Sequence, residues 1–326
     1  MRALLLDRPG ALEHLRIGEA PLPEPGPGEL RVRVHAVGLN PVDYKLARGG
    51  HPAWRYPFIL GLDVAGTVDA LGPGAEPWTL GDRIAYHGDL SRPGGLAEFA
   101  IVPAHVTARI PDSVSFVDAA AIPCAGMTAY QALYHKTTIR AGTSLLVQAG
   151  AGGVGGFAIQ MARLHSVQVI TTASARNHDY VRTLGANNVI DYQTEDVVER
   201  VLEITQGRGV DIVIDTLGAE SAAVGLKLLA FNGHLMCIDD TPPVNALDFG
   251  KAVSIHSIML GGAHLQHDYP WQRAMCVDLT NLMDMLEAKV IHSMVTQVVS
   301  LEKTADALLA LERRHVRGKI VTQLIE

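Results

Sequence analysis

The sequence is poor in cysteine, without an excess of positive charge and without a long hydrophobic run, and each shortage removes a class of function. Its three cysteines, Cys124, Cys237 and Cys276, lie far apart and form no C-x-x-C pair. A scattered, odd set implies neither a disulfide framework nor a cysteine-built metal site, so buried free thiols in a reducing compartment are expected. The formal net charge is −7 and the sequence pI is near 6.0, which supplies no overall basic field for phosphate backbones or anionic lipid. Nucleic acid and membrane surfaces are therefore not expected as partners. No apolar run approaches the roughly 18 residues of a membrane span. The apolar stretch after Met1-Arg2 is cut short by Asp7 and Arg8, before a secretory h-region can form. A soluble, cytoplasmic protein is expected.

What is present points to two domains. The chain has 326 residues, 48% hydrophobic and 19% charged, which is more than one typical core accommodates. The first third reads as β-rich: Leu30–Ala36 alternates in strand fashion, and Pro/Gly punctuation recurs at Pro21–Gly28, Gly49-Gly50, Gly72-Pro73-Gly74 and Pro93-Gly94-Gly95. That pattern suits an irregular antiparallel barrel. The rhythm changes near Ser144, where apolar runs beginning near Ser144, Val167, Asn188, Val210, Gly233 and Ile255 alternate with helix-length amphipathic stretches. An α/β fold with a doubly wound parallel sheet follows. Beyond Gly261-Gly262 the spacing predicts a helix over Trp271–Ala288, a strand near Met294–Val299, a helix over Leu301–Arg313 and a last strand over Lys319–Ile325. That tail is too short for a domain and is expected to return to the first one.

The most informative motif follows the strand LLVQA. Gly150, Gly152 and Gly155, with Gly153 and Val154 between them, fill a G-x-G-x-x-G pattern that opens a helix-patterned stretch, FAIQMARLH. Glycines there permit the tight turn, the close approach of a pyrophosphate and close packing of helix on strand. The end of the next strand bears on which dinucleotide is taken. An NAD-selective fold places Asp or Glu there, about 20 residues after the first glycine, to accept from the ribose 2′-hydroxyl. This sequence has Thr171-Thr172-Ala173-Ser174-Ala175-Arg176-Asn177 instead. With no carboxylate to repel a 2′-phosphate, and Ser174 and Arg176 suited to bind one, NADPH is the expected cofactor. The competing reading makes Arg176 a solvated first-turn residue.

Several segments together carry a family resemblance: Gly38–Lys45 (GLNPVDYK), Pro57–Gly66 (PFILGLDVAG), Gly81–Ala85 (GDRIA), Ala125–Leu133 (AGMTAYQAL), Ala149–Gly155 (AGAGGVG), Leu184–Tyr192 (LGANNVIDY) and Arg317–Val321 (RGKIV). Along essentially its whole length the chain resembles a medium-chain dehydrogenase/reductase of the zinc-free quinone and enone reductase branch. The resemblance implies a GroES-like β-barrel catalytic domain from residues 1–122 and 266–326, and a Rossmann NADPH-binding domain from 123–265. Zinc alcohol dehydrogenases of the superfamily place metal ligands where this chain has Asn40 and Leu62, so no metal is expected. His264 and His267, the one close histidine pair, read as a solvated loop.

A carbonyl without a Lewis acid accepts hydride most easily when the substrate delocalises the arriving charge itself, as quinones and α,β-unsaturated carbonyls do. The resemblance places Asn40, Tyr44 and Lys45 at the nicotinamide end of the cleft, with Lys45 as oxyanion stabiliser and Tyr44 as proton donor. The alternative is that Lys45 pairs locally with Asp43 while Tyr44 simply packs. Tyr56 corresponds to the family's substrate-side aromatic. Thr128, Tyr192, Ile238 and Lys319 correspond to further cofactor contacts, although for Tyr192 a capping role without a ligand is an equal reading. A homodimer through an edge strand over Ile255–Leu260 is expected. Two other readings stay open: a free-standing enoyl reductase and a non-catalytic NADPH-binding or redox-sensing protein.

Overall fold

The computed structural model describes residues 1–246, 248–314 and 316–325. The chain divides into two compact units, Met1–Met127 with Leu260–Glu326, and Thr128–Met259.

The first unit is built on strands β1 (Arg2–Leu6), β2 (Leu15–Glu19), β3 (Glu29–Gly38), β4 (Phe58–Ile59), β5 (Asp63–Leu71), β6 (Arg83–His87), β7 (Phe99–Pro103) and β8 (Ala108–Arg109). In β3 the alternation read from the sequence becomes burial, since Leu30, Val32, Val34 and Ala36 are fully buried. β3 pairs antiparallel with both β5 and β7, and β5 pairs antiparallel with β6. Helices α1 (Pro41–Gly49), α2 (Phe116–Ala120) and α3 (Pro123–Tyr130) follow along the chain. Leu30, Val32, Val64, Ile84 and Leu96 form the unit's core together with Leu308 and Ile320 from the C-terminal segment.

The second unit holds β9 (Ser144–Val147), β10 (Gln168–Thr172), β11 (Asn188–Ile190), β12 (Val210–Asp215), β13 (Leu229–Cys237) and β14 (Ser254–Ser257), interleaved with α4 (Gly153–Arg163), α5 (His178–Leu184), α6 (Val197–Ile204) and α7 (Ala219–Leu228). All pairings are parallel, in the order β11-β10-β9-β12-β13-β14. The order reverses between β9 and β12, which is the switch point where such sheets take ligands at their carboxyl ends. Its core contains Leu146, Ile170, Val213, Leu226 and Leu235. The parallel doubly wound sheet and the antiparallel GroES-like assembly expected from the sequence are both present.

The chain then continues through α8 (Gly262–Leu265), α9 (Tyr269–Glu287), β15 (Val295–Ser300), α10 (Thr304–Glu312) and β16 (Lys319–Gln323). β16 pairs antiparallel with β3, Val321 opposite Gly38, which places Lys319 within the first unit beside the end of β3. β14 (Ser254–Ser257) lies at the edge of this sheet, paired with β13; beyond it Ile258 and Leu260 are buried at 5% and 6% exposure, while Met259 between them is 61% exposed. Among the described residues no helix is long and apolar enough to cross a membrane.

Candidate active site

In the second unit the turn between β9 and α4 is shaped by what glycine lacks. A Cβ on Gly150 would lie 2.0 Å from Thr171 Oγ1 and 2.8 Å from the Ile159 side chain, and one on Gly155 would lie 2.6 Å from the Ala149 carbonyl oxygen. Gly152 differs: the nearest atom to its would-be Cβ is 3.4 Å away, so its outer side is open. Ala149 takes a positive φ of 57°. The turn is pinned by the Gly150 amide donating to Thr172 O at 3.1 Å and the Gly152 amide donating to Ala149 O at 3.0 Å. The two hydroxyls at the end of β10 are committed to the scaffold. Thr172 Oγ1 accepts from the Ala149 amide at 3.0 Å, and Thr171 Oγ1 donates to Val147 O at 2.7 Å. Ser174 caps a short 3-10 turn over Ala175–Asn177, half-buried, while Arg176 on that turn is exposed. Gly152 stands at the N-cap of α4 with no side chain capping its amides. These features fit a dinucleotide: a flush backbone at Gly150 and Gly155, an open face at Gly152 and free helix amides for a pyrophosphate.

The same sheet edge carries a residue that sequence reading missed. Asp215 ends β12 fully buried, its Oδ1 accepting from the amides of Leu217 and Gly218 at 3.1 and 3.0 Å. Its Oδ2 has no partner among the described residues. Ile238, just past β13, donates its amide to Asp215 O at 3.0 Å. Tyr192 follows β11 and is 55% exposed, whereas Thr128 on α3 is buried at 6%.

In the first unit the ends of β3, β5 and β6 converge on a buried polar cluster. Asp63 sits opposite Gly38 in one pairing and opposite His87 in the other. The strand end at Gly38 admits no side chain, because a Cβ there would lie 2.1 Å from Ala120 O. Asn40 then caps α1, and its side chain is fully engaged: Nδ2 donates to Asp63 Oδ2 at 2.8 Å and to Gly38 O at 3.2 Å, and Oδ1 accepts from Lys319 Nζ at 2.5 Å. Lys319 Nζ also donates to Leu39 O at 3.0 Å and stands 4.0 Å from Asp63 Oδ2, with the two side chains 3% and 0% exposed. The Cys124 amide at the start of α3 donates to both Asp63 oxygens at 3.0 Å. Asp43 reaches back from the first turn of α1 to accept the Asn40 amide at 2.8 Å. It is thus committed inside the unit and not to its neighbour Lys45.

Burial dominates the electrostatics of this cluster. It raises Asp43 to about 7, with repulsion from Asp63 adding and Lys319 opposing. It raises Asp63 to about 6 against the pull of Lys319 and of the Asn40 hydrogen bond. The His87 imidazole is pushed down to about 4 by burial, and the Cys124 thiol is pushed far up by burial and by the Asp63 charge. His87 is therefore a neutral imidazole and Cys124 a thiol at neutral pH.

The residues expected from the sequence separate into groups. Asn40 and Lys319 meet directly, although the Lys319 ammonium is turned into its own unit and not toward a surface. Tyr44 is half-buried against the core and Lys45 is exposed, both on α1. Tyr56, 37% exposed, stands edge-on to Trp54 with centroids 6.3 Å apart, and Trp54 stacks on Phe58 at 3.9 Å. Gly150 to Gly155, Ser174, Arg176, Tyr192 and Ile238 belong to the second unit. Sequence reading missed Asp43, Asp63, His87 and Cys124. Ligand atoms of Asp63, His87 and Cys124 all lie within 4.8 Å of one another, a juxtaposition that the scattered cysteines do not suggest in the sequence.

Comparison with known proteins agrees with this architecture. Residues 26–112 match the family model for the alcohol dehydrogenase GroES-like domain, and residues 184–322 match the model described as zinc-binding dehydrogenase. A quinone oxidoreductase of Pseudomonas aeruginosa is 33% identical over 303 residues, covering 91% of this chain and 92% of that protein. A mycobacterial protein solved in complex with NADPH superposes with a TM-score of 0.88 at 32% identity, covering 99% of this chain and 100% of that one. A structure described as an NAD-dependent alcohol dehydrogenase superposes with a TM-score of 0.87 at 30% identity, covering 99% and 100%. A zinc ion, as the second family model's description implies, does not suit the donor set here. The carboxylate of Asp63 is already taken by two amide donors and faces a buried ammonium.

Proposed function

Because the chain is an oxidoreductase of the medium-chain dehydrogenase/reductase superfamily, in its quinone oxidoreductase branch, we propose that it reduces a quinone or an α,β-unsaturated carbonyl with NADPH and without zinc. The observation that carries the reading is the pairing of a turn shaped for a pyrophosphate with a neighbouring strand end that offers Ser174 and Arg176 and no carboxylate. The structural relatives include one with NADPH and one described as NAD-dependent, so the choice between cofactors rests on those two residues. A guanidinium and a hydroxyl recognise a 2′-phosphate, and a ribose diol gains little from them. When bound, the dinucleotide supplies the hydride.

The residues of the first unit then have distinct tasks. Asn40 is a positioning residue: its amide is locked from three sides and fixes the start of α1. Lys45, exposed on that helix, donates a hydrogen bond to the acceptor oxygen as negative charge develops there, and Tyr44 beside it is the proton donor. Tyr56 offers an aromatic edge to a planar acceptor. Acceptors that spread charge over their own conjugated system are favoured because the Asp63 cluster does not suit a Lewis-acidic ion. The occupants are a small-molecule acceptor and NADPH, in a homodimer.

Following NADPH and NADH consumption with a panel of quinones, enals and enones tests this reading. Turnover is expected with NADPH well ahead of NADH. Arg176→Ala should weaken NADPH by about tenfold or more, the worth of a charge-assisted hydrogen bond of roughly 1.5–3 kcal/mol, and should leave NADH nearly unchanged. Equal losses for both cofactors would remove Arg176 from the 2′-phosphate. Lys45→Met should lower enone turnover by roughly two to three orders of magnitude at an unchanged NADPH dissociation constant. Tight NADPH binding with no turnover of any acceptor would favour the non-catalytic reading.

A further inference from the structure

We propose that His234 and His256 form a two-imidazole clip for a divalent transition-metal ion such as zinc, closing across strands β13 and β14 at the edge of the parallel sheet. The ion takes no part in hydride transfer, so the inference is independent of the cofactor and substrate reading above.

The register of the sheet brings the two rings together. In the β13–β14 pairing His234 stands opposite Ser254, and Met236 stands opposite His256. Residues two apart on a strand share a face, so both histidines lie on one face of the sheet, on a diagonal. The alternate residues Leu235 and Cys237 belong to the buried core of the unit, with Ile255 packed against it. The histidines are therefore on the face turned away from that core, and both are half-buried. His234 Nδ1 and His256 Nε2 stand 3.2 Å apart. The ring centroids are 5.4 Å apart with the planes at 23°, so these nitrogens are the near corners of the two rings. Two nitrogens held about 2.0–2.1 Å from a tetrahedral zinc ion are about 3.3 Å from each other. The resting separation already matches that bite, and a rotation of the rings turns both lone pairs onto the ion.

Protons and charge permit the exchange. In the metal-free pair one nitrogen donates its proton to the other. An ion needs both lone pairs, and a neutral imidazole supplies one by carrying its proton on its other ring nitrogen, so no proton leaves the protein. Burial, His234 and Lys136 hold the His256 imidazole below its usual range, which keeps it neutral at neutral pH. Two neutral ligands leave the charge of the ion intact. At half-exposed rings water completes the coordination and hydrates that charge, which a deeply buried pair would not allow. Lys136 opposes the ion, but its ammonium is exposed and screened. Imidazole nitrogens take zinc, copper and nickel, whereas magnesium and calcium take oxygen ligands. β14 is paired on one side only, to β13. A bridge between the two side chains would fasten this outer strand to its neighbour.

The test is a zinc(II) chloride titration of the untagged full chain after removal of adventitious metal by a chelator. It is read by equilibrium dialysis with magnesium in excess and by hydrogen exchange of the backbone amides. The native chain should take one equivalent of zinc, with slowed exchange confined to β13 and β14, because an ion that binds only the native arrangement stabilises it. His234→Asn and His256→Asn should each lose that equivalent and that protection, and Cys124→Ser should keep both. A native chain that takes no zinc overturns the proposal. So does an equivalent that survives either histidine substitution or is lost in Cys124→Ser, or slowed exchange that falls outside these two strands. If either histidine variant is unfolded by circular dichroism, the place of the slowed exchange in the native chain decides.

Discussion

The glycine turn of the second unit and the buried charge cluster of the first are built on opposite plans. The turn is contiguous, and its shape follows from the missing side chains of neighbours in sequence, Gly150, Gly152 and Gly155. The cluster is assembled from Asn40, Asp63, His87, Cys124 and Lys319. Its tightest hydrogen bond, Lys319 Nζ to Asn40 Oδ1, joins residues 279 positions apart. The first plan tolerates change poorly for steric reasons, the second for electrostatic ones. A sterically built turn binds what its backbone outlines, whereas a charge cluster fixes which ions and protons can enter.

The largest effect should come from cutting the cluster at its centre. Asp63→Ala leaves the Lys319 ammonium without its carboxylate and removes the acceptor from both Asn40 Nδ2 and the Cys124 amide. Breaking a buried pair by removing one partner typically costs about 3–5 kcal/mol. The denaturant midpoint should fall by a corresponding amount. Adding Lys319→Met should recover part of the loss, since the stranded charge is then gone. A double variant no more stable than Asp63→Ala would show that the ammonium is not what suffers.

Gly150→Ala should cost less in stability and more in binding. Its Cβ would lie 2.0 Å from Thr171 Oγ1 and 2.8 Å from Ile159 Cδ1, and both side chains are buried. Overpacking of that kind costs roughly 1–3 kcal/mol. The shift of the turn away from β10 should weaken dinucleotide binding beyond detection by calorimetry. Gly152→Ala is the informative contrast, because its Cβ meets nothing closer than 3.4 Å. It should leave stability nearly unchanged and still weaken binding. If it binds NADPH as the native chain does, the open side of Gly152 is not where the pyrophosphate lies.

The comparison also shows what the sequence made legible. Strand β3 was readable because alternation at Leu30, Val32 and Val34 is a local signal, and the β-α rhythm after Ser144 was readable because each strand is a nearly unbroken apolar run. The glycine turn announced itself through spacing. The cluster did not, for its members carry no common motif. Cys124 looked like an isolated thiol, His87 ended an unremarkable strand, and Asp63 drew no notice beside Leu62, which had been weighed as a ligand position. Only the β5–β6 register and the return of β16 beside β3 bring them together. The run Ile255–Leu260 is legible only in part: β14 does lie at the sheet edge, but an apolar pattern does not say that Ile258 and Leu260 are covered by their own chain while Met259 stays exposed.

The smallest effect concerns Asp43 and gives the cluster a signature in pH. Its folded-state carboxyl is raised from the ordinary 3.8 to about 7, chiefly by burial and secondarily by Asp63. A raised carboxyl binds its proton more tightly in the folded chain than in the unfolded one. Between about pH 4 and about pH 7 the folded state thus holds the extra proton, and stability falls as pH rises through that window. Below about pH 4 both states are protonated and this contribution is level. Asp43→Asn keeps an oxygen that can accept the Asn40 amide but has nothing to titrate. Relative to this variant, the native chain should become progressively less stable from about pH 4 to about pH 7, as read from urea midpoints at fixed ionic strength. The comparison with the variant is needed because His87, depressed to about 4, pulls the opposite way: its stability contribution falls as pH drops from the ordinary 6.5 toward 4. Native and Asp43→Asn midpoints that run parallel across the window would mean that Asp43 stays ionised in the folded chain and that the Lys319 charge reaches it more strongly than burial does.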